Sequence, residues 1–151
     1  VDGVTVNQKS SVEQGANGTA QVTIRSEYKD KGTEIGNKTQ LFRPYVTIET
    51  GDLSKADTIY FDCTNTGSSD LLMQIELVMT SGEKKAIDSS FIAAGKTRTL
   101  RVHFWDDIKA DLADVSQIRL SFDNVDLDEN NKAFLLPDKT FCLSDFELVL
   151  K

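Results

Sequence analysis

The chain reads as an all-β protein, an antiparallel sandwich of two sheets. Three observations carry that reading. Apolar residues recur at every second position, not every third or fourth. The runs are short and are separated by clusters of Gly, Asn, Ser and Asp. Hardly any stretch has helical spacing.

In chain order, the first fifteen to twenty residues are polar and rich in turn formers at 14-QGANGT-19, which suits a loose edge strand and a loop. QVTIRS (21–26) then points Val22 and Ile24 to one side, and YVTIE (45–49) does the same with Val46 and Ile48. TIYFDC (58–63) carries Ile59, Phe61 and Cys63 inward, and LMQIELVM (72–79) carries Met73, Ile75, Leu77 and Met79. TLRVHF (99–104) contributes Leu100, Val102 and Phe104, and QIRLSF (117–122) contributes Ile118, Leu120 and Phe122. The closing strand, 141–150, is expected to bury Phe146, Leu148 and Leu150. Turn chemistry fills NTGSSD (65–70), TSGEKK (80–85), AAGK (93–96) and DENN (128–131). One short helical turn fits within 106–115, capped by Asp106 or Asp107. No repeat or internal linker interrupts the pattern, so residues 1–151 are read as a single domain.

Composition narrows the function. The chain is 39% hydrophobic and 27% charged, the balance of a globular domain. Its net charge of −7 argues against nucleic acid and anionic membrane as partners, because both need clustered Lys and Arg. No apolar run approaches the ~20 residues of a spanning helix. The opening VDGVTVNQ carries no signal peptide and reads as the start of a mature or excised domain, which leaves the compartment open.

Metal and catalytic patterns are weak. The two cysteines, Cys63 and Cys142, form no CxxC pair and the chain has one histidine, which argues against zinc. They are read either as two small buried thiols or as a disulfide between strands. The string 126-DLDENN-131 places Asp126, Asp128 and Asn130 at alternate positions like a calcium loop. However, Pro137 stands where an EF-hand requires its bidentate Glu. A solvated loop between strands explains it better. One histidine forbids most histidine-based schemes, GxSxG and HExxH are absent, and nothing selects a carboxylate pair for glycoside hydrolysis among the many acids, so an enzyme is not expected.

The outward positions are more informative. In 98-RTLRVHFWDDIK-109, Arg101, His103 and Trp105 occupy the phase opposite the apolar one. They include the only histidine and the only tryptophan of the chain. Trp105 is either a platform for a ligand or a lid over the core. Gln74 and Glu76 are outward in LMQIELVM, and Tyr45 is outward with Thr47 and Glu49, preceded by Phe42 and Arg43-Pro44. Gln74 and Glu76 are equally an ordinary solvated face, and Phe42 equally a core edge. Tyr60 is outward beside Asp62 and is read as structural.

Three stretches carry a family resemblance over residues 45–150: 57-DTIYFDCTNTGSSDLLMQIELV-78, then 90-SFIAAGKTRTLRVHF-104 followed by 112-LADVSQIRLSFDN-124, and 141-FCLSDFELVL-150. Their order resembles the jelly-roll, galactose-binding-like carbohydrate-binding modules attached to bacterial polysaccharide-degrading enzymes. In many such modules the closing strand shows two adjacent acids, the first tied to a structural calcium. Here Ser144 precedes Asp145, so no clear calcium motif is present and no cofactor is expected.

The resemblance implies a non-catalytic module, extracellular or on a cell surface, that holds a plant polysaccharide near a tethered catalytic domain. Xylan or glucan, both β-linked, would be the first candidates. Sugar rings present C–H faces to aromatic rings and hydroxyls to planar polar groups. That chemistry assigns stacking to Trp105 with Tyr45 or Phe42, and hydroxyl contacts to Gln74, Glu76, Arg101 and His103. The alternative is a spacer or adhesin-type sandwich that uses the fold without a sugar site. Exposure of the aromatics separates the two readings.

Overall fold

A computed structural model of the chain describes residues 4–6, 11–15, 19–24, 45–105, 108, 111–122, 125–127, 133–135 and 138–151. Its strands are β1 (Val4–Val6), β2 (Ser11–Gln14), β3 (Ala20–Ile24), β4 (Tyr45–Glu49), β5 (Ala56–Asn65) and β6 (Leu71–Met79), followed by β7 (Lys84–Ile92), β8 (Thr97–His103), β9 (Val115–Phe122), β10 (Val125–Leu127), β11 (Ala133–Leu135) and β12 (Lys139–Leu150). Two five-stranded antiparallel sheets form the sandwich. The first runs β1-β4-β9-β6-β7 and the second β2-β3-β12-β5-β8, while β10 and β11 pair separately. The expected all-β jelly-roll sandwich is the fold observed.

The period of two explains the core. Met73, Ile75 and Leu77 from β6 face inward with Ile118 and Leu120 from β9, against Phe61 from β5 and Leu100 and Val102 from β8. Phe61, Phe104 and Phe141 are wholly buried. Each such side chain contributes about 1.5–3 kcal/mol through the apolar area it removes from water. The turn after β5 is fixed by a buried amide. Asn65 Nδ2 donates to the carbonyls of Ser69 and Ile92, both at 2.9 Å, and Asn65 Oδ1 accepts the Gly67 N–H at 3.1 Å.

The structure corrects several sequence expectations. β7 was not foreseen, because KKAIDSSFI is a polar edge strand in which only Ser90 and Ile92 are fully buried. The closing strand does not bury its second half. Phe141 and Leu143 are inward, but an irregularity between Ser144 and Glu147 shifts the register, with Asp145 at φ 54°. Beyond it Phe146, Leu148 and Leu150 are 44%, 51% and 60% exposed. Phe146 stacks on Phe61 with ring centroids 5.2 Å apart. Among the described residues of 106–115, helical turn is found at Ile108 and in the 3-10 segment Leu112–Asp114; Asp106 and Asp107 lie outside the described residues. Asp126 lies in β10 opposite Phe134, while Asp128, Asn130 and Asn131 lie outside the described residues.

The cysteines are both free. Leu143 is the cross-strand partner of Cys63, and Thr64 that of Cys142, so neighbouring register positions send the two sulfurs to opposite faces of the sheet. Cys63 is buried and Cys142 half-buried, so only one of the expected two buried thiols is fully buried. Burial pushes the Cys63 thiol up to about 12, with the neighbouring Cys142 adding to the effect.

Candidate functional site

The outer face of the first sheet carries a groove. Three cross-strand rows build it. Tyr45 on β4 pairs with Ser121 on β9, Ser121 with Gln74 on β6, and Gln74 with Ser89 on β7. In the adjacent row Thr47 pairs with Arg119 and Arg119 with Glu76. On the other side of the first row, Leu72 pairs with Phe91. Strands lie ~4.8 Å apart, so the row from Tyr45 to Ser89 spans roughly 14 Å, enough for a few sugar rings.

The groove has a volume of about 520 Å³ over Leu72, Gln74, Glu76, Ser89, Arg119 and Ser121. A bulge between Ile75 and Glu76 adds Ala86, Ile87 and Asp88 to its wall. A second depression of about 400 Å³, which includes Tyr45, Thr47 and Gln117, shares Arg119 with the first. Leu72 and Phe91 are 59% and 51% exposed, an apolar pair at the β7 end. Tyr45 stands at the β4 end.

Arg119 sits between these ends. Its guanidinium lies 3.7 Å from the centre of the Tyr45 ring, a cation–π stack that holds both side chains. Arg119 Nε is a buried nitrogen with no hydrogen-bond partner among the described residues. A buried donor without an acceptor costs about 1–3 kcal/mol, so Arg119 is held on this face at an energetic penalty. Beside it the Ser121 hydroxyl donates to Glu76 Oε1 at 2.9 Å, orienting the carboxylate. At the margin Gln117 Nε2 donates to Glu49 Oε1. The face therefore offers donors, acceptors and two aromatic rings on rigid strands.

The residues singled out from sequence divide between the two sheets. Gln74, Glu76 and Tyr45 lie on this face, Gln74 exposed and the other two half-buried. Phe42 lies outside the described residues. Arg101 and His103 lie on β8 of the second sheet, with Trp105 just beyond its end. Trp105 is 61% exposed, so it is no lid over the core. These three do not join the groove. Tyr60 is on the second sheet as well, opposite Arg101.

Sequence reasoning missed Phe91, Arg119, Ser121 and Leu72. The signal for Arg119 and Ser121 was present in QIRLSF, whose apolar phase assigns both outward. Phe91 alternates with the buried Ser90 and Ile92, but a strand this polar is not recognised by its apolar phase.

No protein-family model matches the sequence, and no curated protein matches it by sequence. Solved structures match by fold. An agarase, AgWH50C, superposes with a TM-score of 0.64 at 14% identity over all of this chain and 24% of its own. The xylan-binding domain from CBM 22 matches with a TM-score of 0.54 at 10% identity, covering 99% of this chain and 88% of that one. The family 11 carbohydrate-binding module from Clostridium thermocellum, in complex with a β-1,3-1,4-mixed-linked tetrasaccharide, gives 0.53 at 18% identity over 99% of this chain and 85% of the module. At these identities the likeness is one of fold. The chain thus shares its jelly-roll sandwich with carbohydrate-binding modules, and it spans about a quarter of the agarase chain.

Proposed function

We propose that this protein is a non-catalytic carbohydrate-binding module that holds a neutral, β-linked polysaccharide in the groove of the first sheet. The observation that carries the reading is Arg119, stacked on Tyr45 with its Nε buried and unpartnered in the groove. Tyr45 and Phe91 would meet the C–H faces of sugar rings at the two ends. Gln74, Glu76 and Arg119 would bond the hydroxyls between them. Acids and bases are both present on this face, which suits a neutral chain better than an acidic one given the net charge of −7.

The names of the structural neighbours support this ligand class. One is a xylan-binding domain, one holds a mixed-linked glucan tetrasaccharide, and one is an agarase. Xylan and mixed-linkage glucan are the first candidates. The presence of the same fold as part of a much longer agarase chain supports a module that works beside a tethered catalytic domain, and the proposal places that work outside the cell or on its surface. It would raise the local concentration of that domain at its substrate without performing chemistry.

The test is affinity electrophoresis against xylans, mixed-linkage glucan, xyloglucan, mannan, agarose and pectin, with Tyr45→Ala and Phe91→Ala run beside the parent. Retardation by one class, weakened in both variants while their circular dichroism is unchanged, is the expected result. Lack of retardation by every glycan would refute the proposal and favour a spacer or adhesin.

A further inference from the structure

The geometry points to a second, independent sugar contact on the opposite sheet, formed by Trp105, His103 and Arg101 at the outer edge of β8. The ligand class rests on the glycan-binding reading above; the site itself does not, because no groove residue takes part. The two sheets turn their outer faces away from each other across ~10 Å of core. A short oligosaccharide lying in the groove cannot also touch Trp105.

Three observations build the site. Trp105 is 61% exposed, the most exposed large apolar side chain among the described residues. Its ring is braced: His103 meets it edge-on, with centroids 4.5 Å apart and planes at 82°. His103 is in turn pinned from below. Its Nδ1 lies 3.1 Å from Thr58 Oγ1, and Thr58 Oγ1 lies 2.9 Å from Asp57 Oδ2.

This chain of contacts sets the histidine tautomer. The Thr58 hydroxyl has one proton, and the carboxylate is an acceptor only. The hydroxyl therefore donates to Asp57, and Nδ1–H donates to Thr58 Oγ1. In neutral His103 this leaves Nε2 as the acceptor. Arg101, exposed one outward position away along β8 at roughly 7 Å, adds donors. A fixed indole face beside one acceptor and one cluster of donors is the pattern that binds the flat C–H face of a pyranose ring and its equatorial hydroxyls.

A weak contact of this kind would act through avidity on a solid polysaccharide, where two faces can hold two chains at once. Trp105 is the only tryptophan, so its fluorescence reports this site and not the groove. The experiment titrates the protein with xylohexaose, a mixed-linked glucan tetrasaccharide and an agaro-oligosaccharide. It follows indole fluorescence and calorimetry together, on the parent, Trp105→Ala, His103→Ala and Arg119→Met. Adsorption to the matching insoluble polysaccharide is measured in parallel.

The expected result is a saturable fluorescence change in the parent and in Arg119→Met, weakened in His103→Ala. Trp105→Ala should keep the calorimetric groove affinity and lose at least about tenfold in adsorption to the solid. A fluorescence change abolished by Arg119→Met would mean one continuous site and overturn the proposal while sparing the groove. Silent fluorescence with intact calorimetric binding, or unchanged adsorption of Trp105→Ala, would overturn it too. Calorimetric binding that survives Arg119→Met but vanishes in Trp105→Ala would instead sink the groove reading and leave the Trp105 site standing.

Discussion

Replacing Arg119 by Met should make the protein more stable and a poorer binder at the same time. Met keeps an apolar stem against Tyr45 and removes the guanidinium. Two terms change in the free protein. The buried, unpartnered Nε disappears, which relieves about 1–3 kcal/mol. The cation–π contact at 3.7 Å also disappears, which costs about 1 kcal/mol. The balance favours the variant by about 1 kcal/mol, a rise in Tm of roughly 2–4 °C for a chain of this size. Binding moves the other way. A hydrogen bond from a charged donor is worth about 1.5–3 kcal/mol, so affinity should fall about tenfold to a hundredfold. Differential scanning calorimetry reads the first effect and isothermal titration with the retained polysaccharide the second. A variant that loses 2 kcal/mol or more of stability, on the scale of a broken buried network, and binds like the parent would show that Arg119 is structural.

Two further outcomes follow from buried groups away from the groove. Asn65→Ala removes the two bonds donated to the Ser69 and Ile92 carbonyls and the one accepted from Gly67. At about 1 kcal/mol each the loss is roughly 3 kcal/mol, or a fall in Tm of about 6–12 °C by thermal denaturation; a change below 2 °C would mean that the turn holds without its amide. For Cys63, the native thiol is held at about 12 against 9.0 for a free one. Between those values the unfolded chain has lost the proton and the native chain has not, so stability falls as pH rises, by about 1.4 kcal/mol per unit for this group. Urea unfolding from pH 8 to 11 should show a shallower alkaline decline in Cys63→Ala than in the parent, and iodoacetamide at pH 8 should label native Cys142 well before Cys63. Equal slopes, or early labelling of Cys63, would contradict its burial.

Much of the fold was legible because alternation is a direct print of burial. Where a strand has one face on the core, as with LMQIELVM and QIRLSF, every second residue must be apolar and the pattern is visible. β7 was not legible because an edge strand with few buried residues has no such pattern. The closing strand misled for a different reason: the extra residue at Asp145 brings Leu148 opposite the inward Ile59 and Phe146 onto Phe61, so the expected phase holds there, but alternation says which way a side chain points and not how much covers it, and Phe146, Leu148 and Leu150 stay exposed. For the site, phase told which residues face outward but not on which sheet. Gln74 and His103 are equally outward by period, yet the strand order puts them on opposite sides of the molecule.

That division bears on how one sandwich can serve different glycans. The inward phase is constrained by packing, so it is met by many sequences with the same alternation, and structures at 10–18% identity share the fold. The outward phase of the central strands is under no such constraint. On β9 the inward Ile118, Leu120 and Phe122 must be apolar, while Gln117, Arg119 and Ser121 between them can change without disturbing the core. Any chemistry placed at those positions is presented on a rigid strand with its neighbours fixed by register. Arg119 shows the cost of that freedom. Its Nε is left without an acceptor among the described residues, and the stack on Tyr45 offsets only part of that penalty. An outward position that carries such a penalty in the middle of the groove is where the proposed glycan contact is tested most directly, because Arg119→Met separates stability from binding.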